Sequence, residues 1–112
     1  MSESTTALPQ DLLDEVIRRV VAVAQPEKII LFGSAARGEM TPDSDADLLV
    51  IKDAVAHRGR LEERIYRELF GVAMPVDVIV VTSEDVQRYG DKVGPIIRPA
   101  LREGVVVYDA QR

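Results

Sequence analysis

The residues of this chain whose types and spacing could do chemistry are three aspartates, Asp45, Asp47 and Asp77, and the pair Gly33-Ser34. Gly33-Ser34 closes the apolar run Lys28 to Phe32, ten residues intervene, and Asp45-Ala46-Asp47 leads into a second apolar run ending at Ile51. Side chains alternate faces along a strand, so Asp45 and Asp47 project from one face. In the later run Val76 to Val81, Asp77 shares a face with Ile79 and Val81. An aspartate inside Pro-Val-Asp-Val-Ile-Val-Val is costly unless something pairs with it. If the second and third strands are neighbours, Asp77 stands beside Asp45 and Asp47. At about 4 Å and an effective dielectric near 20, each pair of ionised carboxylates repels by on the order of 4 kcal/mol. A bound cation converts that repulsion into affinity. Only oxygen ligands are on offer, so the expected ion is hard: magnesium held jointly by carboxylates and substrate phosphates.

Gly33 lets the backbone turn out of its strand and lets a ligand approach with no Cβ in the way. Ser34 then opens a helical turn whose free N–H groups face an anion. Arg37, a turn later, can clamp a phosphate bidentately; a solvated surface position, or pairing with Glu39, is the alternative. No Gly-Lys-Ser/Thr follows, so this is not a Walker loop. The layout suits a nucleoside triphosphate at one end and its magnesium at the other. A lone Asp-x-Asp is more often a loop or a cap, and Asp77 alone could be a strand-end charge or an arginine's partner. The joint pattern, two apolar strands behind a Gly-Ser turn, favours a site.

The elements that must position these residues are legible in the periodicity. Leu12, Leu13, Val16, Ile17, Val20, Val21 and Ala24 fall on one broad helical face between Pro9 and Pro26. Lys28 to Phe32 reads as a buried strand, Ser34 to Gly38 as a brief helical turn, and Glu39 to Ser44 as a loop. Asp47 to Ile51 is the second strand. A helical stripe of Leu61, Ile65 and Leu69 lies within roughly 55–70, with Gly71 past its end. Val76 to Val81 is the third strand. Thr82-Ser83-Glu84-Asp85 starts a helix with a serine or threonine cap. Gly94 to Arg102 reads as another short helix, and Val105 to Tyr108 as a last strand. The expected fold is α/β (α+β): one small mixed sheet flanked by helices, with residues 1–7 a flexible tail and 8–112 a single domain.

Gly33-Ser34, ten residues, Asp45-x-Asp47, and a later Asp77 in an apolar strand resemble the nucleotidyltransferase superfamily typified by DNA polymerase beta. The run Phe-Gly-Ser-Ala-Ala-Arg-Gly…Ser-Asp-Ala-Asp-Leu-Leu-Val is similar to the minimal, MNT-domain members. The likeness extends from about Leu12 to Tyr108, and it is specific in the central motif and weak at the end. The resemblance implies that Asp45 and Asp47 hold the metals and that Asp77 completes the site and helps activate the attacking hydroxyl. It implies that Gly33 and Ser34 face the triphosphate. The implied reaction moves a nucleoside monophosphate to a hydroxyl and releases pyrophosphate; ATP as donor is implied by the likeness alone. Two metal ions about 4 Å apart can stabilise the attacking and leaving oxygens of such a transfer.

Minimal MNT proteins resemble the antitoxin half of two-gene systems whose toxin is a HEPN-domain ribonuclease. There the antitoxin adds AMP to a tyrosine of the toxin. That implies a protein acceptor and a hetero-oligomer. A non-catalytic antitoxin that masks its toxin, or a stand-alone enzyme acting on a small hydroxyl compound, are the alternatives.

Composition narrows the rest. At 112 residues and 46% apolar, the chain can bury one core unaided. It has no cysteine and one histidine, His57, which excludes disulfides, thiolate metal sites and a His-rich metal site. A net charge of −5 disfavours a nonspecific grip on duplex nucleic acid. No apolar run approaches the roughly 20 residues of a membrane span, so a cytoplasmic location is expected. His57 is expected in a structural or solvent role. Arg58, Arg60 and Arg64 read as a solvated helix face, with a partner or nucleotide as the alternative. Tyr66 and Tyr89 read as core or rim, and self-modification of Tyr89 is a further possibility the residue type allows.

Overall fold

The computed structural model of the chain describes residues 10–33, 46–72, 75–89 and 103–111. In chain order the elements are α1 (Gln10–Ala24), β1 (Lys28–Phe32), β2 (Ala46–Ile51), α2 (Arg58–Glu68), β3 (Val76–Val81), α3 (Ser83–Tyr89) and β4 (Val105–Asp109). The strands form one sheet in the order β3-β2-β1-β4. β1 runs antiparallel to both β2 and β4, whereas β2 and β3 are parallel. A parallel pair needs a crossover, and α2 supplies it. The mixed sheet with flanking helices is the fold class the sequence implied.

Strand alternation sorts the sheet into two faces. Ile29 and Leu31 of β1, Leu48 and Val50 of β2, and Val78 and Val80 of β3 meet Leu13, Val16, Val20 and Ala24 of α1 and Ile65 and Leu69 beside them. Each buried leucine, isoleucine and valine among them contributes up to roughly 1.5–3 kcal/mol of burial. The opposite face carries a smaller cluster, Ile30, Leu49, Ile51 and Val81, with Phe32, Ile79 and Val86 against it. Asp47 and Asp77 take their places in the alternation of this second face.

The helix ends have local causes. α1 stops where Gln25 turns to φ 47° ahead of Pro26. α2 is shorter than its apolar stripe suggested, because the chain between β2 and α2 is irregular, with Ala54 at φ 59°, and Gly71 at φ 93° turns the chain away beyond Leu69. α3 opens on a reciprocal cap: Asp85 N–H donates to Thr82 Oγ1 (2.9 Å) and Thr82 N–H donates to Asp85 Oδ2 (3.0 Å). β1 and β3 span the residues their apolar runs indicated. β2 begins one residue earlier, at Ala46, and β4 runs one residue further, to Asp109. The expected tail at 1–7 and the expected short helix at 94–102 lie outside the described residues.

Among the described residues β3 is an edge of the sheet, and α2 covers it. Val78 N–H donates to Tyr66 Oη (2.8 Å), and Val80 N–H donates to Glu62 Oε2 (3.0 Å). Two outward-pointing amides that could template another strand are thereby occupied from within the chain. α2 is in turn tied to α1, where Arg19 Nη1 donates to the Glu68 carbonyl at 2.9 Å.

Candidate active site

The ends of three adjacent strands converge on one corner of the second face. β1 leaves the sheet at Phe32, and because β2 is antiparallel to it, Phe32 pairs with Asp47 near the start of β2. β3 runs parallel beside β2, and its register sets Asp47 directly against Asp77. Neighbouring strands are about 4.8 Å apart, so the two aspartates are lateral neighbours on one face. Ala46 N–H donates to the Pro75 carbonyl (3.1 Å), which joins the two strands at their starts. The second and third strands are neighbours, the condition on which Asp77 was expected beside Asp47.

Asp47 is half-buried and Asp77 is exposed. One step further along the same face, Leu49 and Ile79 form an apolar floor. Across from Asp47, on the β1 side, stands Gly33. It adopts φ +76°, and a Cβ placed on it would lie 2.4 Å from Asp47 Oδ2. Any side chain at position 33 would occupy the volume of the Asp47 carboxylate. The glycine was expected on account of a ligand's approach; the structure adds that the site's own carboxylate needs the space.

Of the other residues singled out for the site, Ser34, Arg37 and Asp45 lie outside the described residues. Among the described residues no group of three or more carboxylates and imidazoles is placed to hold a metal ion. The described part of the site supplies two neighbouring carboxylates, Asp47 and Asp77. An oxygen-only pair of this kind, beside a wall with no side chain, fits a hard divalent cation shared with phosphate oxygens.

Two residues bear on the site without having been legible as doing so. Tyr66 and Glu62 hold alternate amides of β3, Val78 and Val80, on the strand that carries Asp77. Their four-residue spacing on α2 was visible, but nothing in it distinguished an edge clamp from a solvated face. Tyr66 was expected in the core or at the rim, and it is 43% exposed with its hydroxyl at the β3 edge.

A model of the nucleotidyltransferase domain matches residues 12–106. The chain belongs to this family. Its fold is also similar to that of a protein from Sulfolobus solfataricus described as a nucleotidyltransferase, at 21% identity and a TM-score of 0.62, over 91% of this chain and 81% of that one. A second similar structure is a mutant of the toxin–antitoxin complex MntA-HpeT, at 17% identity and a TM-score of 0.52, over 93% of this chain and 76% of that one. At these identities the two structures speak for the fold. No protein of curated function matches the chain. The resemblance drawn from the Gly-Ser and aspartate motif therefore identified the family, and the nucleotidyltransferase domain carries Asp47 and Asp77 side by side.

Proposed function

We propose that this nucleotidyltransferase domain transfers AMP from ATP to a hydroxyl, and that the acceptor is a tyrosine of a HEPN-type ribonuclease toxin for which the chain is the antitoxin. The observation that carries the catalytic part is the lateral pairing of Asp47 with Asp77 against Gly33. Two carboxylates in register on adjacent strands repel one another, and a cation between them offsets that repulsion, which supports a metal-dependent site. The toxin–antitoxin part is supported by the fold's similarity to the MntA-HpeT structure.

In this reading Asp47 and Asp77, with Asp45, would hold magnesium, which when bound neutralises charge on the triphosphate. Gly33 and Ser34 would face the phosphates, and Arg37 would clamp one of them. The exposed Asp77 carboxylate takes the proton of the acceptor hydroxyl as that oxygen attacks the α-phosphorus. A new O–P bond forms, the bond to the β-phosphate oxygen breaks, and pyrophosphate leaves. The floor of Leu49 and Ile79 limits water beneath the carboxylates.

The test is intact-mass spectrometry of the chain coexpressed with the product of its adjacent gene and incubated with Mg–ATP. The expected result is a partner heavier by one or more AMP units, with no gain when Asp45 and Asp47 are both changed to Asn. A stable complex with an unmodified partner would instead support neutralisation by masking. Pyrophosphate release with a small hydroxyl compound and no partner would support a stand-alone enzyme.

A further inference from the structure

We propose that a second, separate site on this chain binds the phosphoryl group of a small ligand, in the cavity between the end of α1 and the start of α2. The cavity has a volume of about 310 Å³, and its rim is Lys52, His57, Arg60 and Arg64. Its apolar wall includes Ala24 and Leu61, and no carboxylate lines it. In a chain of net charge −5, the charged residues of this cavity, Lys52, Arg60 and Arg64, are all basic. Another cavity is its opposite: about 340 Å³, lined by Glu27, Asp53 and Asp109 with Lys28 as its one basic residue.

The arrangement follows from the helix. His57, Arg60, Leu61 and Arg64 are spaced zero, three, four and seven along α2, so they share one face. The run of arginines that looked like a solvated stripe therefore converges on a concave surface, joined there by Lys52 from the end of β2. Arg58, off that face, is engaged elsewhere, donating to Asp85 Oδ2 at 2.8 Å. Lys52 is held in place, donating to the Gln25 carbonyl at 3.1 Å, which leaves two of its protons for a ligand. Arg60 and Arg64 make no ion pair with another described residue. Two guanidinium forks and an ammonium around one hollow match the oxygens of a phosphate better than a single carboxylate.

The site is distinct from the Asp47–Asp77 corner. Lys52 lies five residues beyond Asp47 along β2, about 17 Å at strand rise. The volume sits near the lower end of small-molecule sites, about 300 Å³, which fits a mononucleotide or pyrophosphate rather than a longer polyanion.

Titration calorimetry on the full chain, without magnesium and at constant ionic strength, tests this with AMP, pyrophosphate and inorganic phosphate as probes. Saturable binding is expected, weakened at least about tenfold for each arginine removed in Arg60→Gln, Arg64→Gln. The Arg60→Lys, Arg64→Lys variant, which keeps both charges, should bind better than the glutamine pair. Arg37→Gln, which removes the guanidinium assigned to the triphosphate at the proposed transferase centre, should bind the probes undiminished, which separates the two sites whether or not that centre is active. Tighter binding of AMP than of pyrophosphate would assign the source to a nucleotide, and equal binding would assign it to the phosphoryl group alone; both support the site. Unchanged affinity in the glutamine pair, loss in Arg37→Gln, or binding of an oligoribonucleotide with all three probes silent would overturn it.

Discussion

Gly33 and Asp47 share a volume that holds one side chain: a Cβ on the glycine would sit 2.4 Å from the aspartate's Oδ2. Gly33 also adopts φ +76°, which costs a residue with a Cβ roughly 1–2 kcal/mol. Gly33→Ala is therefore expected to displace the Asp47 carboxylate by the better part of an ångström. A shift of about 1 Å at a reacting centre costs on the order of 10²-fold in rate. Pyrophosphate release measures the rate, and urea unfolding measures the stability. Adding Asp47→Ala to Gly33→Ala removes the steric partner. The double variant should be more stable than the sum of the single changes indicates, with a coupling of at least about 0.5 kcal/mol.

The lateral pair Asp47 and Asp77 gives a second prediction, on function against stability. Asp47→Asn and Asp77→Asn each remove one charge from two that stand in register. Transferase activity should fall by at least about 10²–10³-fold, the scale of losing one preorganised electrostatic group. Folding stability should change far less than activity, since each substitution also relieves the repulsion between the two strands. Chelation of divalent cations should silence the wild type to the same level. Activity that survives both substitutions would remove the carboxylates from the proposed chemistry.

Much of this was legible because the local signals agreed with the fold. Apolar periodicity set α1, β1 and β3, and Asp77 stood out as the lone charge in Val76 to Val81, where the structure leaves it exposed. Other features are set by long-range pairing and leave no mark on one stretch of chain. That β3 is an edge, and that Tyr66 and Glu62 occupy its amides, depends on which strands neighbour one another. The hollow at Arg60 and Arg64 depends on where Lys52 emerges from β2. Local steric detail is equally silent: Gly33 announces freedom, not that an aspartate from the next strand fills the space beside it.

The edge clamp makes a third prediction. Tyr66→Phe removes the acceptor of the Val78 amide, and Glu62→Ala removes that of Val80. Each should cost about 1 kcal/mol, the net worth of one hydrogen bond. Amide hydrogen exchange should accelerate at Val78 and Val80 first, because local opening no longer has a side chain to displace. The double variant exposes a strand edge and should self-associate at concentrations where the wild type does not, as read by light scattering. Exchange that accelerates uniformly across the sheet would mean that the two side chains support global stability alone.

The last prediction concerns acid. Arg19 Nε donates to Glu15 Oε2 at 2.7 Å while its Nη1 holds the Glu68 carbonyl at the end of α2. The hydrogen bond from Arg19, followed by the charges of Arg18 and Arg19, holds the Glu15 carboxyl below its ordinary 4.5. A carboxyl whose value is lower in the folded chain contributes stability that is present above 4.5 and lost as pH falls through the folded value. Glu15→Gln should therefore destabilise the protein at neutral pH and make no difference once the wild-type carboxylate is protonated. Urea midpoints for the two proteins should converge as pH drops below 4.5. Because Glu15 steadies Arg19, the loss at neutral pH should appear at the α1–α2 junction, as faster exchange of the amides around Leu69. A constant gap between the two proteins across the acid range would show that Glu15 acts through packing rather than through its charge.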